Sequence, residues 1–369
     1  MTDKMPIAAI AVDAVMQATF WANSVAESKF RFRATHLDGK RSPKVVLSDD
    51  PRIRPGIPCL VKVVAIRKPR RDDRGAIEVA FVQNCELQIQ GIYLDPIVSK
   101  KLQVLLESGL NILLDGPQGC GKTVLAKAVS EQLGMRFVFF NCGAVVEASD
   151  FLATIQVRAS EDGHPVTDFI PTEILTAMAD ASTEPARSFL IFLDEFNRCP
   201  ENARNALMPA LDATRRVFNP MTNQFLSIPD NVQFIAAVNR GGEFSGTYGI
   251  DAAQLDRFAP LQMDYLPEEE ETRLLGERHP EVPKHLIRTI VELANQIRDS
   301  EELPGGLSVR ATDEACIYLK HPLFENDQRH CLGEILRSSF CGRFPGRWDD
   351  ANTEAGICWS AIHHKLEDA

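Results

Sequence analysis

The stretch Gly116-Pro-Gln-Gly-Cys-Gly-Lys-Thr123 decides the fold of this chain. It fits the pattern G-x-x-x-x-G-K followed by Ser or Thr, and it lies between the apolar run 111–115 and the amphipathic stretch 123–133. A glycine-rich turn between a buried strand and a helix offers backbone N–H groups and the helix dipole to phosphate groups. The sequence therefore predicts a phosphate-binding loop whose residues are Gly116, Pro117, Gln118, Gly119, Cys120, Gly121, Lys122, Thr123 and Val124.

Two carboxylates follow a second apolar run. Asp194 and Glu195 come directly after Ser-Phe-Leu-Ile-Phe-Leu at 188–193. Ligands of open α/β sheets collect at the carboxyl ends of strands, so these side chains should lie near the bound phosphates. We expect Lys122 to contact the β- and γ-phosphates, and Thr123 and Asp194 to hold Mg²⁺. Glu195 would act as general base on the attacking water. The alternative is a strand that ends in a solvated acidic turn.

Three further residues are candidates for contact with the γ-phosphate. Asn239 ends the apolar run 234–238, where an amide can help to position water, although a turn-forming asparagine is also common there. Arg257 and Arg310 are candidates to stabilise charge that develops on the transferred phosphoryl group. For both arginines the alternative is an ordinary surface ion pair.

Runs of strand and helix character alternate between residues 92 and 266, which predicts an α/β fold with a parallel sheet flanked by helices. From Glu268 onward the pattern is helical and predicts a lid. Residues 1–24 have mixed helical spacing and predict one helix, whereas 29–90 carry short alternating runs typical of a small sheet or a five-stranded OB-type barrel. We therefore expect a β-rich accessory domain, a nucleotide-binding domain and a helical lid with tail, at 1–91, 92–266 and 267–369.

The net charge of −11 is unevenly distributed. Residues 1–91 carry 15 Lys and Arg against 10 Asp and Glu, so a basic accessory module is expected on an acidic core. The nine cysteines have neither C-x-x-C pairs nor zinc-finger spacing, which is typical of a reducing compartment. No apolar run approaches the ~18 residues that span a bilayer, so we expect a cytoplasmic protein without a membrane partner.

With these motifs in this order, residues 92–320 resemble the AAA+ superfamily, in particular its MoxR/dynein-related branch. Segments 116–123 and 194–195 are similar to Walker A and Walker B, and Asn239, Arg257 and Arg310 fall on sensor 1, the arginine finger and sensor 2. The segment 194–198 (DEFNR) resembles MoxR-like ATPases, and 244–258 resembles the cobaltochelatase subunit CobS. Arg240 follows Asn239 where relatives commonly have proline, and Arg240 or Arg198 could also act on a neighbouring subunit.

The resemblance implies a homo-oligomeric ring, with a hexamer favoured, that hydrolyses ATP with Mg²⁺ and places Arg257 in the neighbouring subunit's site. It also implies two inserted hairpins, at 154–169 and 217–228, that face a pore or a partner; ordinary surface loops are the alternative. In this branch the client is typically a protein, often one with a von Willebrand A domain.

Three functions follow from these observations. The favoured one is an ATP-driven motor that remodels or assembles a protein partner. The second is a nucleic-acid-linked ATPase, similar to McrB, that uses residues 29–90; here Phe30 and Phe32 alternate with basic residues, as in single-strand binding or as in a strand with one buried face, which is favoured. The third, a nucleotide-controlled scaffold without hydrolysis, is disfavoured because Glu195 is present.

Overall fold

The structure is a computed structural model, and it describes residues 4–6, 10–23, 29–68, 75–87, 89, 91–159, 165–184, 187–219, 221–239, 248–324 and 328–367. The chain divides into two compact units. The first comprises residues 1–114, 123–238 and 248–261, and the second comprises 115–122, 239–247 and 262–369. Among the described residues, the helices are too short or too polar to cross a lipid bilayer.

The first part of the chain is a small antiparallel and parallel β-structure. Its strands are β1 (Val15–Thr19), β2 (Trp21–Ala22), β3 (Phe32–Leu37), β4 (Lys40–Ser48), β5 (Pro58–Ile66) and β6 (Ala76–Asn84). In β1 and just beyond it Met16, Ala18 and Phe20 are buried, while Val15 and Gln17 are exposed. This alternation has the period of a strand, so the predicted helix over 1–24 is wrong where the structure describes that segment.

The order of the strands closes them into a barrel. The sheet runs β1-β5-β6-β4-β3-β2, with β4 and β6 parallel and the other described pairs antiparallel. Strands β1 and β2 are two halves of one stretch interrupted at Phe20, and they pair with β5 on one side and β3 on the other. Counted as one strand, they complete the five-stranded Greek-key arrangement of an OB fold. The predicted β-rich character of this region is confirmed, and its extent as a separate domain stays a prediction.

The barrel packs directly on the α/β part of the same unit. Gly56 is so close to Leu133 that a Cβ atom on Gly56 would lie 2.4 Å from the Cα atom of Leu133. A Cβ atom on Gly134 would lie 2.7 Å from the Trp21 ring. Arg54 adds a hydrogen bond of 2.9 Å from Nε to the carbonyl oxygen of Glu107. Both glycines have positive φ values, 78° and 61°, so neither position suits a side chain.

The α/β part follows in the order that the sequence predicts. A first helix, α1 (Pro96–Glu107), begins at Asp95, whose side chain accepts hydrogen bonds from the N–H groups of Ile97 and Val98. Beyond it come β7 (Ile112–Gly116), α2 (Lys122–Gln132), β8 (Arg136–Asn141), β9 (Ala153–Ala159), β10 (Pro165–Pro171), α3 (Glu173–Thr183), β11 (Phe189–Asp194), α4 (Glu201–Arg204), α5 (Met208–Leu211), β12 (Arg216–Asn219), β13 (Gln224–Ser227), β14 (Val232–Asn239), α6 (Ala252–Leu255) and β15 (Ala259–Gln262).

Five of these strands form the central sheet in the order β15-β7-β14-β11-β8. Strand β11 is parallel to both β14 and β8. Its first five residues are fully buried, because a parallel strand is covered on both faces. Asp194, the last residue of β11, lies opposite Asn141 at the end of β8. The expected parallel sheet is confirmed, with the two carboxylates where its strands end.

Two hairpins lie outside this sheet. Strands β9 and β10 pair in one, and β12 and β13 in the other, as the two predicted inserts require. In the second hairpin Val217 is buried, whereas Phe218 and Phe225 are 43% and 62% exposed and pack edge to face at 5.6 Å. Each hairpin thus presents apolar side chains to solvent, including Val157 and Phe169 in the first.

The second unit is dominated by helices α7 (Glu268–Arg278), α8 (Lys284–Arg298), α9 (Val309–Leu319), α10 (Gln328–Ser339) and α11 (Glu354–Glu367). Their apolar faces share one core, in which α8 alone buries seven side chains. A buried ion pair joins two of the helices: Arg298 Nη1 lies 2.6 Å from Glu271 Oε2, and the Thr312 hydroxyl donates to the same carboxylate at 2.6 Å. The predicted helical lid is confirmed in the described part of 268–367.

Candidate nucleotide site

The glycine-rich loop surrounds the side chain of Lys122, which directly follows its last glycine. Lys122 is 7% exposed, and its Nζ atom donates to the carbonyl oxygens of Gly116 at 2.9 Å and Pro117 at 2.8 Å. A buried ammonium group needs such acceptors because it has left water. Phosphate oxygens can replace these carbonyl groups, so the lysine is held at the loop where a phosphate chain would lie.

Glycine is required at two positions of this loop by close neighbours within the second unit. A Cβ atom on Gly119 would lie 2.3 Å from the Cβ atom of Ser308, and one on Gly116 would lie 2.5 Å from the carbonyl oxygen of Met263. Gly119 and Gly121 also have φ values of 78° and 98°, which residues with a Cβ rarely adopt. The backbone is thereby free of side chains where its N–H groups must approach an anion.

Tyr265 connects the loop to the buried ion pair. Its hydroxyl donates to the carbonyl oxygen of Gln118 at 3.3 Å, and the Arg298 guanidinium lies 4.5 Å from the centre of its ring. Burial raises the pKa of the Tyr265 phenol, and the charge of Arg298 opposes that rise. The phenol therefore stays protonated at neutral pH and remains a hydrogen-bond donor to the loop.

Cys120 lies inside the loop without the features of a reactive thiol. Its side chain is buried, and burial raises its pKa, while the nearby charge of Lys122 lowers it. The thiol is therefore protonated at neutral pH and behaves as a small apolar side chain. Of the other loop residues, Gln118 and Val124 are exposed, with Val124 60% accessible.

The carboxylate half of the site belongs to the first unit. The Thr123 hydroxyl donates to Asp194 Oδ2 at 3.2 Å, and the backbone N–H of Glu195 donates to Asp194 Oδ1 at 3.0 Å. A hydroxyl and a carboxylate held together in this way are hard oxygen ligands of the kind that Mg²⁺ prefers. The two residues predicted as metal ligands are thus adjacent, and one peptide bond joins Thr123 to Lys122.

Glu195 has an unusual backbone and a cationic neighbour. Its φ value of 52° lies in the left-handed region, which costs a residue with a side chain on the order of 1 kcal/mol. Strain of this kind concentrates at functional sites. Arg198 Nε lies 3.3 Å from Glu195 Oε1, and a Cβ atom on Gly143 would lie 3.0 Å from Glu195 Oε2. The carboxylate is therefore positioned from both sides.

Arg257 lies at the opposite edge of the sheet from the carboxylates. Its carbonyl oxygen accepts a hydrogen bond from Asn111 Nδ2 at 3.0 Å, and Asn111 immediately precedes β7. Ala259, the first residue of β15, donates its N–H to the carbonyl oxygen of Asn111 at 2.8 Å. Arg257 is thus at the amino-terminal edge, whereas Asp194 ends β11 at the carboxyl-terminal edge. The structure does not bring Arg257 to the site of its own chain.

The remaining predicted residues are Asn239, Arg310 and Arg240. Asn239 is the half-buried last residue of β14. Arg310 is exposed in the first turn of α9, two residues after Ser308, which contacts Gly119. Arg240 and residues 244–247 of the CobS-like segment lie outside the described residues.

Sequence reasoning missed several neighbours of the site. Asn141 ends the apolar run 137–140 as Asn239 ends its own strand, so the same signal was present; its Oδ1 atom accepts the N–H of Gly143 at 2.9 Å. Tyr265 and Ser308 had no sequence signal, because their contacts with the loop bridge more than 140 residues of chain.

A glycine-rich loop that follows one strand of a parallel sheet and holds a lysine, and a hydroxyl–carboxylate pair at the end of another strand of that sheet, are the defining features of a P-loop nucleotide-binding domain. Residues 111–258 match the family model described as AAA domain (dynein-related subfamily). For this part of the chain the predicted resemblance to the dynein-related branch of the AAA+ superfamily is confirmed.

Proteins and structures similar to this chain include the following. An uncharacterized protein of Staphylococcus epidermidis is 26% identical over 204 residues, which are 55% of this chain and 74% of that protein. An uncharacterized protein of Staphylococcus saprophyticus is 30% identical over 172 residues. These residues are 47% of this chain and 62% of that protein, which is less than two thirds of its length. The Thermotoga maritima RuvB Holliday junction branch migration motor has a TM-score of 0.41 and 19% identity, over 67% of this chain and 68% of that one.

Proposed function

We propose that this chain hydrolyses ATP as a ring of identical subunits, a hexamer by resemblance, and uses the energy to remodel or assemble a protein partner. The observation that carries the proposal is that Thr123 and Asp194 are hydrogen-bonded and Glu195 follows directly, whereas Arg257 lies at the opposite edge of the sheet. One copy supplies the loop and the base, and the neighbouring copy supplies Arg257.

Each residue has a chemical role in this proposal. Glu195 takes a proton from water as the water oxygen bonds to the γ-phosphorus and the bond to the β,γ-bridging oxygen breaks. Lys122 stabilises charge on the phosphate oxygens, and ADP and phosphate leave. Thr123 and Asp194 would hold Mg²⁺, which when bound neutralises charge on the nucleotide. Asn239 and Arg310 would contact the γ-phosphate.

The ion pair between Arg198 and Glu195 can be either closed or open. The ion pair between them, at 3.3 Å, restrains the base while both side chains remain about one third exposed. Exposed pairs are weak, at about 0–1 kcal/mol, so the pair can open at little cost when phosphate or water offers other contacts. Arg198 would thus position the base or exchange it for a neighbouring nucleotide.

Hydrolysis is tested by measuring phosphate release and nucleotide binding for wild type, Glu195→Gln and Lys122→Ala. We expect Glu195→Gln to bind ATP with Mg²⁺ normally and to turn over about 10²–10⁴-fold more slowly, because only the general base is lost. Lys122→Ala should lose binding itself. If wild type binds ATP but turns over no faster than Glu195→Gln, hydrolysis is excluded and a nucleotide-controlled scaffold replaces it.

The protein partner is tested with the same variant. Glu195→Gln held in ATP should retain its client, because the ATP state cannot decay. Support for the client class rests on the MoxR-like resemblance, and the exposed apolar side chains of the two hairpins offer contact surface. A von Willebrand A-domain protein retained with ATP, lost with ADP and indifferent to nuclease is the expected result. Retention of nucleic acid alone would contradict a protein client.

A further inference from the structure

Two loops of the barrel meet at one aromatic ring. Phe30 precedes β3, and Arg67 follows β5. The guanidinium of Arg67 lies 5.4 Å from the centre of the Phe30 ring, and Lys29 Nζ lies 4.6 Å from the same centre. In the strand order of an OB fold these are the first–second and fourth–fifth strand loops, which flank the face that binds oligonucleotides.

The two phenylalanines that alternate with basic residues have different environments. Phe32 packs against the barrel core, as a strand with one buried face requires. Phe30 is half-buried beside two cations and precedes the strand. The favoured interpretation of Phe32 as a core residue is thus correct, while Phe30 presents an aromatic surface beside positive charge. That combination suits a base stacked on the ring with its phosphates on the neighbouring cations.

Strand β3, which begins two residues after Phe30, extends the positive surface. Arg33 is exposed on β3 opposite Leu47 of β4, while the next pair in the register, Ala34 and Val46, is buried in the barrel. Arg33 therefore lies on the outer face of β3, three residues after Phe30. With it, the exposed basic residues around the ring are Lys29, Arg31, Arg33, Arg67 and Lys68.

Two carboxylates partly offset these charges. Asp49 lies 3.7 Å from Arg31 in an exposed pair, and Glu78 forms an ion pair with Arg67. Five basic side chains thus face two acidic ones among the described residues of this surface. The Arg31–Asp49 pair is weak because both partners are solvated, so a phosphate can replace the carboxylate at low cost. The surface as a whole attracts a polyanion.

We propose that this face of the barrel, defined by Phe30, Lys29, Arg33 and Arg67, binds single-stranded nucleic acid. A base stacks on Phe30, and the backbone follows the positive surface along β3. A single strand fits because its bases are free to stack, whereas the bases of a duplex are already paired and stacked. The inference is independent of ATP hydrolysis and of the proposed protein client, because it rests on the barrel alone.

Binding is measured on the full-length protein by fluorescence anisotropy, with labelled oligothymidylate and oligouridylate of about 20 nucleotides. Phe30→Ala should weaken binding roughly 5- to 100-fold, the loss of one stacked base. Phe30→Trp should retain binding, because the larger ring still stacks. Thermal melts check that each variant is folded, and the two probes distinguish DNA from RNA.

The charge contribution is measured by salt titration. Lys29→Gln combined with Arg33→Gln should reduce the slope of log K against log salt by about 1.4, since each phosphate contact of a single strand contributes about 0.7. Lys62→Gln is the matched control. Lys62 is a basic residue on β5 of the same barrel, and it forms an ion pair with Asp13 at 2.8 Å. It should leave the slope unchanged.

Several results would overturn this assignment. One is the absence of binding to either probe at about 50 mM salt, where charge contacts are strongest. Equal affinity for a duplex of the same length, or equal competition by a polyglutamate peptide, would show that charge alone is recognised. Unchanged binding by folded Phe30→Ala would exclude stacking, and an equal loss in Lys62→Gln would exclude this face.

Discussion

Arg257→Ala should abolish most of the ATP hydrolysis while leaving ATP binding intact, because in the proposed ring this arginine serves the site of a neighbouring subunit. Its backbone is bonded to Asn111, at the start of β7. The five residues of β7 rise about 3.3 Å each, so about 16 Å of strand separates that edge from the phosphate-binding edge. An arginine side chain cannot cover this distance within its own chain. Loss of an arginine finger costs about 10³–10⁵ in rate.

Mixing two inactive variants distinguishes action on a neighbour from action within one chain. Arg257→Ala keeps the base Glu195, and Glu195→Gln keeps the arginine. In a ring with head-to-tail interfaces, an equal mixture places a base beside an intact arginine at about a quarter of the interfaces. The mixture should therefore recover about a quarter of the wild-type rate if the sites act independently.

The assay is steady-state phosphate release from the separate variants and from a series of mixing ratios, after subunit exchange. Activity should peak near the equal mixture and vanish at both ends. A mixture that stays as inactive as its components, with exchange verified by labelled subunits, would refute action on a neighbour. Wild-type turnover by Arg257→Ala alone would refute any catalytic role for this residue.

Three substitutions test other contacts. Gly119→Ala should lower ATP affinity at least about tenfold, because it combines a left-handed φ with a close contact; unchanged affinity in calorimetry would contradict this. Gly56→Ala should destabilise the barrel contact with Leu133 by about 1–3 kcal/mol, and an unaltered melting midpoint would be inconsistent with that packing. Arg298→Ala should cost about 3–5 kcal/mol in urea unfolding, since it leaves Glu271 charged and buried; less than about 1 kcal/mol would mean water reaches the pair.

Local patterns explain why so much of the α/β part could be predicted from the sequence. The runs at 112–114, 137–140 and 189–193 are apolar because parallel strands are buried on both faces, and each is followed directly by a polar residue at the end of its strand. Asp95 and the loop glycines are visible because their sequence patterns are local: Asp95 caps the helix that follows it, and the glycines form one continuous motif with Lys122 and Thr123. The boundaries near residues 91 and 266, and the role of each site residue, stay predictions.

The wrong and missing predictions concern features that depend on contacts which the local sequence pattern does not show. The segment before Phe20 has apolar residues at spacings compatible with a helix, and only its pairing with β5, about 40 residues further on, makes it a strand. Barrel closure depends on that same pairing. The contact of Arg198 with Glu195 could not be inferred, because it depends on the left-handed turn that Glu195 adopts.

Helix α2 runs from the end of the glycine-rich loop to the surface on which the barrel packs. It begins at the loop lysine and, about 16 Å later, ends against the barrel at Gly56 and Trp21. The contact has no room for a methyl group at either glycine, so the residues of the barrel that pack there would have to move with the end of the helix. If ATP and a single strand both bind as proposed, thermodynamic linkage requires reciprocity: whatever factor ATP imposes on the affinity for the strand, the strand imposes on the affinity for ATP.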